Sequence, residues 1–389
     1  MFNMTNIENI VIFAADSLRW DYLPEELAND GVTFKTVAQS TYSPPSFATL
    51  STGLYPPQHG VHHWTNGISD EISSIYDIEG VESGFYQDES AGETMFDVLG
   101  VESSTELETL SPPFVYLERD LTPHLPFDDQ FEQSADSAQQ YFKTRDGDWD
   151  RMRDEYRRCC EYSVDKLNER IEYLREADLL DSTLVIFTSD HGELLGEYGD
   201  ASHTSPACPE LVYVPTVFMH PDLSESDFLV DTNHNIIEHV DVIETAMSIA
   251  GHQSMRTEGV NLLDSRRPRD FGFTNVKAQR KGRPFYESDS LWWYDSGHAF
   301  ALNSRIVRLM YLAYRLTFGL EKYAIRHDIP ELFKKYFDSY NEYGDPPLDA
   351  QQSKQRIDQL KEQLQKWEPV DYQLSEDQKE SLQDLGYLE

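Results

Sequence analysis

The chain has 389 residues, and its 70 acidic side chains against 32 basic ones give a formal net charge of −38. This balance excludes proteins that bind nucleic acid, because the phosphate backbone attracts basic surfaces. Hydrophobic residues make up 39% of the chain, which suffices for one large α/β domain with an appendage or for two or three smaller domains.

The spread of the charge and the few cysteines indicate where the protein works. Acidic residues occur in nearly every segment, which is typical of proteins that function in concentrated salt, where ions screen the repulsion between surface charges. Cys159, Cys160 and Cys208 do not form a disulfide framework. The sequence has no apolar run of ~20 residues, and its first residues show no charged region followed by a cleavage site, as a signal peptide would. We therefore predict a salt-adapted, cytoplasmic protein.

Two apolar runs predict buried strands that end in carboxylates. Residues 9–15 (NIVIFAA) are followed by Asp16, and residues 182–188 (STLVIFT) are followed by SDHGE, which contains Asp190 and His191. In a parallel sheet, the ligand site lies at the carboxyl ends of the strands. The two carboxylates are therefore expected to lie close together.

A proline-containing stretch between these strands, YSPPSFATLSTG at residues 42–53, predicts a helix that begins near Ser43. The amino end of such a helix attracts anions through its free N–H groups and its dipole. A serine at this place is more often only an N-cap, so the neighbouring motifs decide whether Ser43 has a chemical role.

The remaining elements of the main domain follow from helical spacing and short apolar runs. Residues 154–177 have apolar side chains three and four positions apart, and this helix leads into the strand at 182–188, as in a parallel α/β sheet. Residues 214–219 predict another strand, and residues 240–250 another helix. The first 265 residues are therefore interpreted as an α/β catalytic domain with a mostly parallel sheet flanked by helices.

The C-terminal region, residues 266–389, is predicted to be smaller, mainly helical and packed on the catalytic domain. Helices are expected at 304–323 and 349–367. Basic residues collect between 277 and 326, which indicates either an ordinary packed helix with solvated arginines or contact with a polyanion or an anionic membrane surface.

The strand-end residues have the chemistry of a metal site. The carboxylates of Asp16 and Asp190 suit a hard cation, and the imidazole of His191 favours Mn²⁺ or Zn²⁺. A cation at this place would polarise a bound anion and lower the pKa of the Ser43 hydroxyl.

Seven motifs in order resemble the sulfatase family of the alkaline phosphatase superfamily. They are NIVIFAADSLRWDYL, SPPSFATLSTGLYPPQHGV, TPHLPF, the helix with TSDHGELLGEYG, LVYVPTVF, HVDVIETAMSIAG with EGVNLLD, and LSEDQKESLQDLGYLE. The resemblance covers most of residues 9–264 and the last fifteen residues. It implies an alkaline-phosphatase-like fold and hydrolysis of esters.

The resemblance also implies roles for single residues. Asp16, Asp190 and His191 match metal positions, and Ser43 matches the nucleophile, whose oxygen also contacts the metal. His124 resembles the histidine that assists the leaving group, and His203 lies near a residue that grips the anion. The implied cofactor is one divalent ion, with Ca²⁺ the usual family metal and Mn²⁺ or Mg²⁺ as alternatives.

Three departures from the family pattern concern this same site. Ser17 stands where the family has a second aspartate, and Phe47 replaces the arginine of the C/S-x-P-S-R signature. Position 43 is serine rather than the cysteine that is usually converted to formylglycine, so plain serine and formylglycine are both kept as alternatives at this position. The C-terminal region is expected to lack the family's strand-rich subdomain.

Three functions remain after these observations. The first is hydrolysis of sulfate esters by Ser43 or its formylglycine derivative. The second is hydrolysis or transfer of a phosphate or phosphonate ester through a phosphoseryl intermediate. The third is a non-catalytic protein that kept the fold. The substrate is expected to be a small-molecule or saccharide ester, and the sequence gives neither its alcohol half nor the oligomeric state.

The other histidines are interpreted as structural or solvated. His59, His62 and His63 are expected on a loop, and His239 at the start of a helix is expected to have a structural role.

Overall fold

The fold was analysed in a computed structural model, which describes residues 6–127, 137–203, 205–232, 234–252, 255–264, 269–280 and 283–384. Residues 281 and 282 of the predicted basic region, and the last five residues of the C-terminal motif, lie outside the described residues.

The strands are β1 (Asn9–Ala15), β2 (Val32–Val37), β3 (Asn66–Gly67), β4 (Glu82–Gln87), β5 (Phe114–Asp120), β6 (Thr183–Thr188), β7 (Leu194–Leu195), β8 (Ala201–Ser202), β9 (Tyr213–Met219), β10 (Ile237–Glu238), β11 (Gly272–Arg280), β12 (Arg283–Trp292), β13 (Gly297–Ala301), β14 (Tyr340–Tyr343) and β15 (Val370–Asp371).

The helices are α1 (Glu25–Asn29), α2 (Ser43–Thr52), α3 (Pro56–His59), α4 (Thr94–Leu99), α5 (Ala138–Arg145), α6 (Trp149–Glu176), α7 (Pro209–Val212), α8 (His239–Ile249), α9 (Arg305–Thr317), α10 (Lys322–Ile325), α11 (Ile329–Phe337), α12 (Ala350–Gln363) and α13 (Glu376–Asp384). None of the helices in the described ranges is both long and apolar enough to cross a membrane.

Seven strands form the central sheet, in the order β10-β2-β9-β6-β1-β5-β4. Every pairing is parallel except the two made by β9, which runs antiparallel to β2 and β6. The expected mostly parallel sheet is therefore confirmed. Every residue of β1 is buried, as the apolar run from residue 10 to residue 15 predicts for a central strand covered on both faces.

Alternate side chains of β1 pack against helices on opposite faces of the sheet. Val11 and Phe13 belong to a core cluster that includes Tyr156 and Leu167 of α6. Ile10 and Ile12 face the other side, in the cluster that holds Phe47 of α2 and residues of α8. This arrangement places α2, which begins at Ser43, on the face of the sheet opposite α6.

The register of the central strands brings their carboxyl ends to one edge. Ala15 of β1 is paired with Asp120 of β5, and Ala14 is paired with Thr188 of β6. The residues that follow or end these strands therefore meet at the same edge of the sheet.

The C-terminal region contains a second sheet, which corrects the expectation of a helical region without a strand-rich subdomain. Strands β11 to β14 form a four-stranded antiparallel sheet in chain order, and the same region also contains helices α9 to α13. The strands were missed because polar residues, among them Ser288, Asp289 and Ser290, are buried within β12, so the apolar pattern of a strand is absent. The division of the chain near residue 265 stays a prediction.

The second sheet is joined to the main domain by hydrogen bonds from β11. The Asn275 N–H donates to the Gln39 carbonyl at 2.9 Å, and the Thr274 hydroxyl donates to the Ala38 carbonyl at 2.7 Å. Since residues 38 and 39 lie between β2 and α2, these bonds support the segment that leads to Ser43.

Candidate active site

Three side chains at the carboxyl edge of the sheet form a cluster that could hold a metal ion. Asp16 follows β1, and Asp190 and His191 follow β6. All three are fully buried, and their ligand atoms lie within 4.8 Å of one another. The sequence prediction that these three residues meet is thus supported by the geometry.

The hydrogen bonds around this cluster fit a divalent cation. His191 Nδ1 lies 2.9 Å from the Gly192 carbonyl, so it carries the proton, and Nε2 turns a lone pair towards Asp190 Oδ2, 3.3 Å away. Asp190 Oδ1 accepts from the Ser17 N–H and the His191 N–H. Asp190 Oδ2 is buried and has no hydrogen-bond partner among the described residues. A cation would satisfy this oxygen and the imidazole nitrogen together.

The electrostatics of the two carboxylates differ. Burial, together with the nearby Asp16 carboxylate, raises the pKa of Asp190 above its usual value. Burial also acts to raise the pKa of Asp16, but Arg119 and the neighbouring histidines outweigh it and hold this pKa below the usual range. Asp16 is therefore ionised, and a cation bound at this place would offset the energetic cost of a second charge on Asp190.

Ser43 is the first residue of α2 and points into this cluster. Its Oγ lies 3.4 Å from Asp16 Oδ2 and 3.3 Å from His191 Nε2. Pro44 and Pro45 have no N–H, and the Ser46 N–H donates to the Tyr42 carbonyl at 3.3 Å. Residues 44–46 therefore offer no free backbone N–H group to an anion, and the expectation of an anion at this helix end stays a prediction.

Arg119 lies beside Asp16 although nothing in the sequence pointed to it. Its Nε and Nη2 are 2.8 and 2.7 Å from Asp16 Oδ2, and both side chains are fully buried. The guanidinium carbon is 5.6 Å from the Phe47 ring centre and 5.3 Å from the Trp64 ring centre. Phe47, which replaces the signature arginine, thus packs against an arginine that comes from β5.

Ser17 occupies the position of the missing second aspartate. Its hydroxyl donates to Asp16 Oδ1 at 2.9 Å, and its backbone has a positive φ of 69°. Compared with a site that has two adjacent aspartates, this site therefore has one negative charge fewer. It also has a buried guanidinium on the remaining carboxylate. This combination lowers the electrostatic attraction for a cation.

His124 and His203 lie next to the cluster, as the resemblance implied. The His203 ring centre is 4.5 Å from that of His191 and 5.5 Å from that of His124. Burial lowers the pKa of His124, His191 and His203 to about 4 each, so the rings are neutral at neutral pH.

Each of these two histidines is oriented by its Nδ1. His124 Nδ1 lies 2.6 Å from the Leu125 carbonyl, and His203 Nδ1 lies 3.3 Å from Glu193 Oε2. Since Nδ1–H donates in both rings, Nε2 of each carries a lone pair. Burial raises the pKa of Glu193 well above its usual value. Glu193 received no role from the sequence, although it belongs to the quoted SDHGE motif.

The remaining histidines have structural contacts. His59 is fully buried in α3, where its Nδ1 accepts from the Val61 N–H, so the structural alternative is supported for this residue, which lies in a helix and not on a loop. His62 and His63 are half-buried. His239 is buried and donates from Nε2 to the Ser189 carbonyl at 2.8 Å, which supports the segment before Asp190, as a structural role requires.

Sequence profiles of two families match this chain. The profile described as Sulfatase matches residues 81–252, and the profile described as Type I phosphodiesterase / nucleotide pyrophosphatase matches residues 10–131. The first match includes Arg119, His124, Asp190 and His203, and the second includes Asp16 and Ser43.

Known proteins similar to this chain include one relative of nearly equal length. The low-salt glycan biosynthesis sulfotransferase Agl7 of Haloferax volcanii is 29% identical, over 99% of this chain and 97% of the relative. A solved 2-O GAG sulfatase aligns with a TM-score of 0.58 at 11% identity, over 88% of this chain and 95% of that structure. The phosphonate monoester hydrolase of Agrobacterium radiobacter aligns with a TM-score of 0.59 at 15% identity, over 82% and 95%.

Proposed function

We propose that the chain, which is similar to sulfatase-like hydrolases, cleaves sulfate esters with Ser43 as the nucleophile at a divalent metal ion. The observation that carries this proposal is the position of Ser43 Oγ, 3.4 Å from Asp16 and 3.3 Å from His191. Asp16, Asp190 and His191 would hold the ion, which supplies charge to polarise the ester and to lower the pKa of the serine hydroxyl.

The first half of the reaction forms a bond between Ser43 Oγ and sulfur and breaks the bond between sulfur and the alcohol oxygen. The charge on the outer oxygens of the sulfuryl group is met by side chains, because the prolines of α2 remove two N–H groups. His203, held by Glu193, is proposed as one of these anion contacts, with its Nε2 protonated when the negative charge of the ester is bound. Arg119 keeps Asp16 ionised beside the nucleophile.

His124 is proposed as the general acid that protonates the alcohol oxygen as it departs. Its Nε2 has a lone pair in the free protein, and the negative charge of a bound ester favours the protonated ring, which then donates a proton to the departing oxygen. In the second half the same nitrogen takes a proton from the hydroxyl that attacks the sulfoserine. One histidine thus serves both halves by microscopic reversibility.

Transfer to an acceptor alcohol is the second candidate function, and it follows from an unmodified Ser43. A formylglycine hydrate has a second hydroxyl on the same carbon, so its sulfate ester collapses and releases sulfate. A sulfoserine has no such hydroxyl, so another hydroxyl must attack sulfur, either of water or of an acceptor. Phe47 in place of the signature arginine argues against modification, and the full-length relative is named a sulfotransferase.

A saccharide sulfate ester is the substrate class that we propose. The names of two similar proteins support this choice, one a glycan biosynthesis sulfotransferase and the other a 2-O GAG sulfatase. Phosphate or phosphonate esters remain the alternative reaction, supported by the phosphodiesterase profile and by the phosphonate monoester hydrolase fold. Both reactions use the same nucleophile and the same proton transfer.

The test begins with the intact mass of the natively expressed protein. Plain serine at position 43 is expected, and a loss of two hydrogens would establish formylglycine and favour hydrolysis over transfer. Sulfate, phosphate and methylphosphonate esters of 4-nitrophenol are then compared, with and without a sugar acceptor. We expect the sulfate ester to be the best substrate, and release of nitrophenol to rise with the acceptor if transfer is the function.

Ser43→Ala is the matched variant for this assay, with Ser51→Ala as its control. Both serines lie in α2, but the Ser51 hydroxyl only donates to the Ala48 carbonyl of the same helix. We expect Ser43→Ala to remove about three or more orders of magnitude of turnover without loss of folding, and Ser51→Ala to keep it. Activity that survives in Ser43→Ala would mean that the serine is only the start of a helix.

A further inference from the structure

Strand β11 lies beside the segment that leads to the nucleophile. The Asn275 N–H donates to the Gln39 carbonyl at 2.9 Å, and Gln39 comes four residues before Ser43. A chain advances by at most about 3.6 Å per residue, so Ser43 lies within about 15 Å of this bond. Lys277 is two residues farther along β11, before the register shift at Ala278, so its side chain leaves the strand on the same face as that of Asn275. Lys277 is therefore near the candidate site although it belongs to the second sheet.

The other charges on this face of the second sheet are paired within the fold. The Asp289 carboxylate, across from Asn275 on β12, accepts from the Asn275 side-chain amide at 2.7 Å and pairs with the Lys361 ammonium of α12 at 2.6 Å. Asn275 and Asp289 are both buried. The charge of Lys361 is therefore balanced by Asp289, and neither of these two charges remains for a ligand.

Lys277 has a different position from Lys361 in this network. The residue across from Lys277 on β12 is Glu287, and both side chains are half-buried. Although the register places these opposite charges on facing strands, they form no ion pair, and no other carboxylate in the described ranges pairs with the Lys277 ammonium. Within this part of the chain, the fold thus leaves the ammonium group of Lys277 available to a ligand.

The imidazole of His62 lies close to both lysines. Burial lowers the pKa of His62 to about 3, and the charges of Lys277 and Lys361 add to this effect. The ring is therefore neutral, and it is half-buried. A neutral ring beside the Lys277 ammonium offers hydrogen bonds and a positive charge to the same ligand.

The segment that follows His62 connects this place to the nucleophile. The rings of the next two residues, His63 and Trp64, lie 6.3 and 6.1 Å from the ring centre of Tyr42, which directly precedes Ser43. Tyr42 and His63 are half-buried, whereas Ser43 is fully buried. The alcohol half of an ester bound at Ser43 therefore has a route to solvent on this side, past Tyr42 and towards His62.

We propose that Lys277 binds a negatively charged substituent of the saccharide, a carboxylate or a second sulfate, in the alcohol half of the ester. This inference rests on the proposed cleavage of saccharide sulfate esters and adds that the preferred substrate carries at least two anionic groups. A chain with a net charge of −38 repels such a saccharide at a distance. The ammonium group supplies a local attraction, and because it is half-buried, salt screens it less than an exposed charge.

The experiment compares matched saccharide esters as substrates of the full chain. One pair is a monosulfated disaccharide that contains a uronic acid and the methyl ester of the same carboxylate. The other pair is a disulfated disaccharide and its monosulfated counterpart. We expect the wild type to prefer the more anionic member of at least one pair by about tenfold in kcat/KM, mainly through KM. The pair that shows the preference identifies the anion as a carboxylate or a sulfate.

Lys277→Met is the test variant, with Lys354→Met as its control, since Lys354 is an exposed lysine of α12. We expect Lys277→Met to bring the preference close to one, and Lys354→Met and the conservative variant Lys277→Arg to keep it. Glu287→Gln tests the alternative that Lys277 only balances the acid across from it. Removal of this acid is expected to keep or increase the preference for the anionic member. A preference that is lost equally in Glu287→Gln and Lys277→Met would assign Lys277 a structural role instead.

The outcomes separate this inference from the proposed function. Equal kcat/KM within both pairs in the wild type, or a preference that Lys277→Met leaves unchanged, would overturn the assignment of Lys277, while cleavage of 4-nitrophenyl sulfate would still support the reaction. Calorimetry with Ser43→Ala measures the same preference as binding, without turnover. Binding that favours the anionic member and depends on Lys277, in a chain that cleaves no sulfate ester, would overturn the proposed reaction alone. Equal binding of both members of each pair would overturn the anion contact.

Discussion

At the scale of single residues, the site has the serine, aspartates and histidines that the resemblance implies but a different source of positive charge. The C/S-x-P-S-R signature has its arginine four residues after the nucleophile, whereas here Phe47 stands at that position and the guanidinium near Asp16 comes from Arg119 on β5 and packs on Phe47. The chain thus keeps a cation beside the nucleophile by a side chain from another strand. Sequence alone gives no sign of this exchange, because it depends on which strands are neighbours.

Replacing Arg119 by glutamine is expected to strengthen metal binding. The guanidinium and a divalent ion would share the Asp16 carboxylate and repel each other, so its removal should tighten the binding of Mn²⁺ by about tenfold or more. The apoprotein should become less stable by about 3 kcal/mol, because Asp16 is left as an unpaired buried charge. Calorimetric titration with Mn²⁺ and thermal unfolding measure the two effects.

Arg170→Gln is the control for this experiment. Arg170 pairs with Glu118, also on β5, at 2.9 Å and away from Asp16. Its substitution should leave the affinity for Mn²⁺ unchanged. Weaker metal binding in Arg119→Gln would show that Arg119 orients Asp16 as a ligand rather than competing with the ion.

Asp190→Ala is expected to abolish stoichiometric metal binding. The substitution removes the buried oxygen Oδ2, which has no hydrogen-bond partner in the described part of the chain, and one of the two carboxylate charges of the cluster. Metal content after dialysis against a weak chelator measures the loss. Asp120→Ala is the matched control, since Asp120 also ends a buried strand but binds Ser163 and Lys166. Unchanged metal content in Asp190→Ala would remove the cation from the proposed mechanism.

At the scale of elements, the sequence predicted the strands that consist of apolar runs but not the strands that contain buried polar residues. The predicted strand at 9–15 coincides with β1, and those at 182–188 and 214–219 match β6 and β9 within a residue. These runs are buried on both faces, so their composition alone indicates them. The pairing of β11 with β12 was not predicted, because polar residues are buried within β12 and the apolar pattern of a strand is absent there.

Helices α9 and α11 are expected to act on the reaction through the segment that carries His203. Arg315→Met leaves Lys335 as the remaining basic partner of the buried Asp200 carboxylate. The weaker pairing of this charge is expected to lower the free energy of unfolding by about 3 kcal/mol. Because Asp200 lies three residues before His203, we expect turnover to fall more than tenfold with little change in KM for a small ester. Steady-state kinetics and urea unfolding measure both effects.

Arg308→Met separates this effect from general loss of stability. Arg308 is equally buried on α9, but it binds backbone carbonyls at the end of α11 and not the His203 segment. We expect a comparable loss of stability with nearly unchanged turnover. Equal kinetic defects in the two variants would mean that the helices only contribute to folding.

At the scale of the whole molecule, the charge of −38 is a property of the surface and not of the core. Ion pairs such as Arg119 with Asp16 and Arg315 with Asp200 leave few unpaired charged groups inside the fold, among them Asp190 and Glu193 at the candidate site, so most of the excess lies in water. The excess opposes the compact state, since folding brings like charges together. The native protein therefore needs either screening or a reduction of its charge.

Lowering the ionic strength is expected to unfold the protein. The Debye length increases from about 3 Å in 1 M salt to about 30 Å in 0.01 M salt, so repulsion that is local in concentrated salt extends over the whole molecule in dilute buffer. We expect the melting temperature to rise steeply with KCl concentration and to depend on ionic strength rather than on the identity of the monovalent cation. NaCl and KCl at equal concentration should thus give equal melting curves. Sucrose without salt should leave most of the loss of stability in place, because sucrose does not screen charge.

Acidification towards the carboxyl pKa range should partly replace salt, since protonation of exposed carboxylates removes the same repulsion. Full stability in dilute buffer at neutral pH would contradict salt adaptation, and a strong difference between Na⁺ and K⁺ would point to specific ion binding instead of screening.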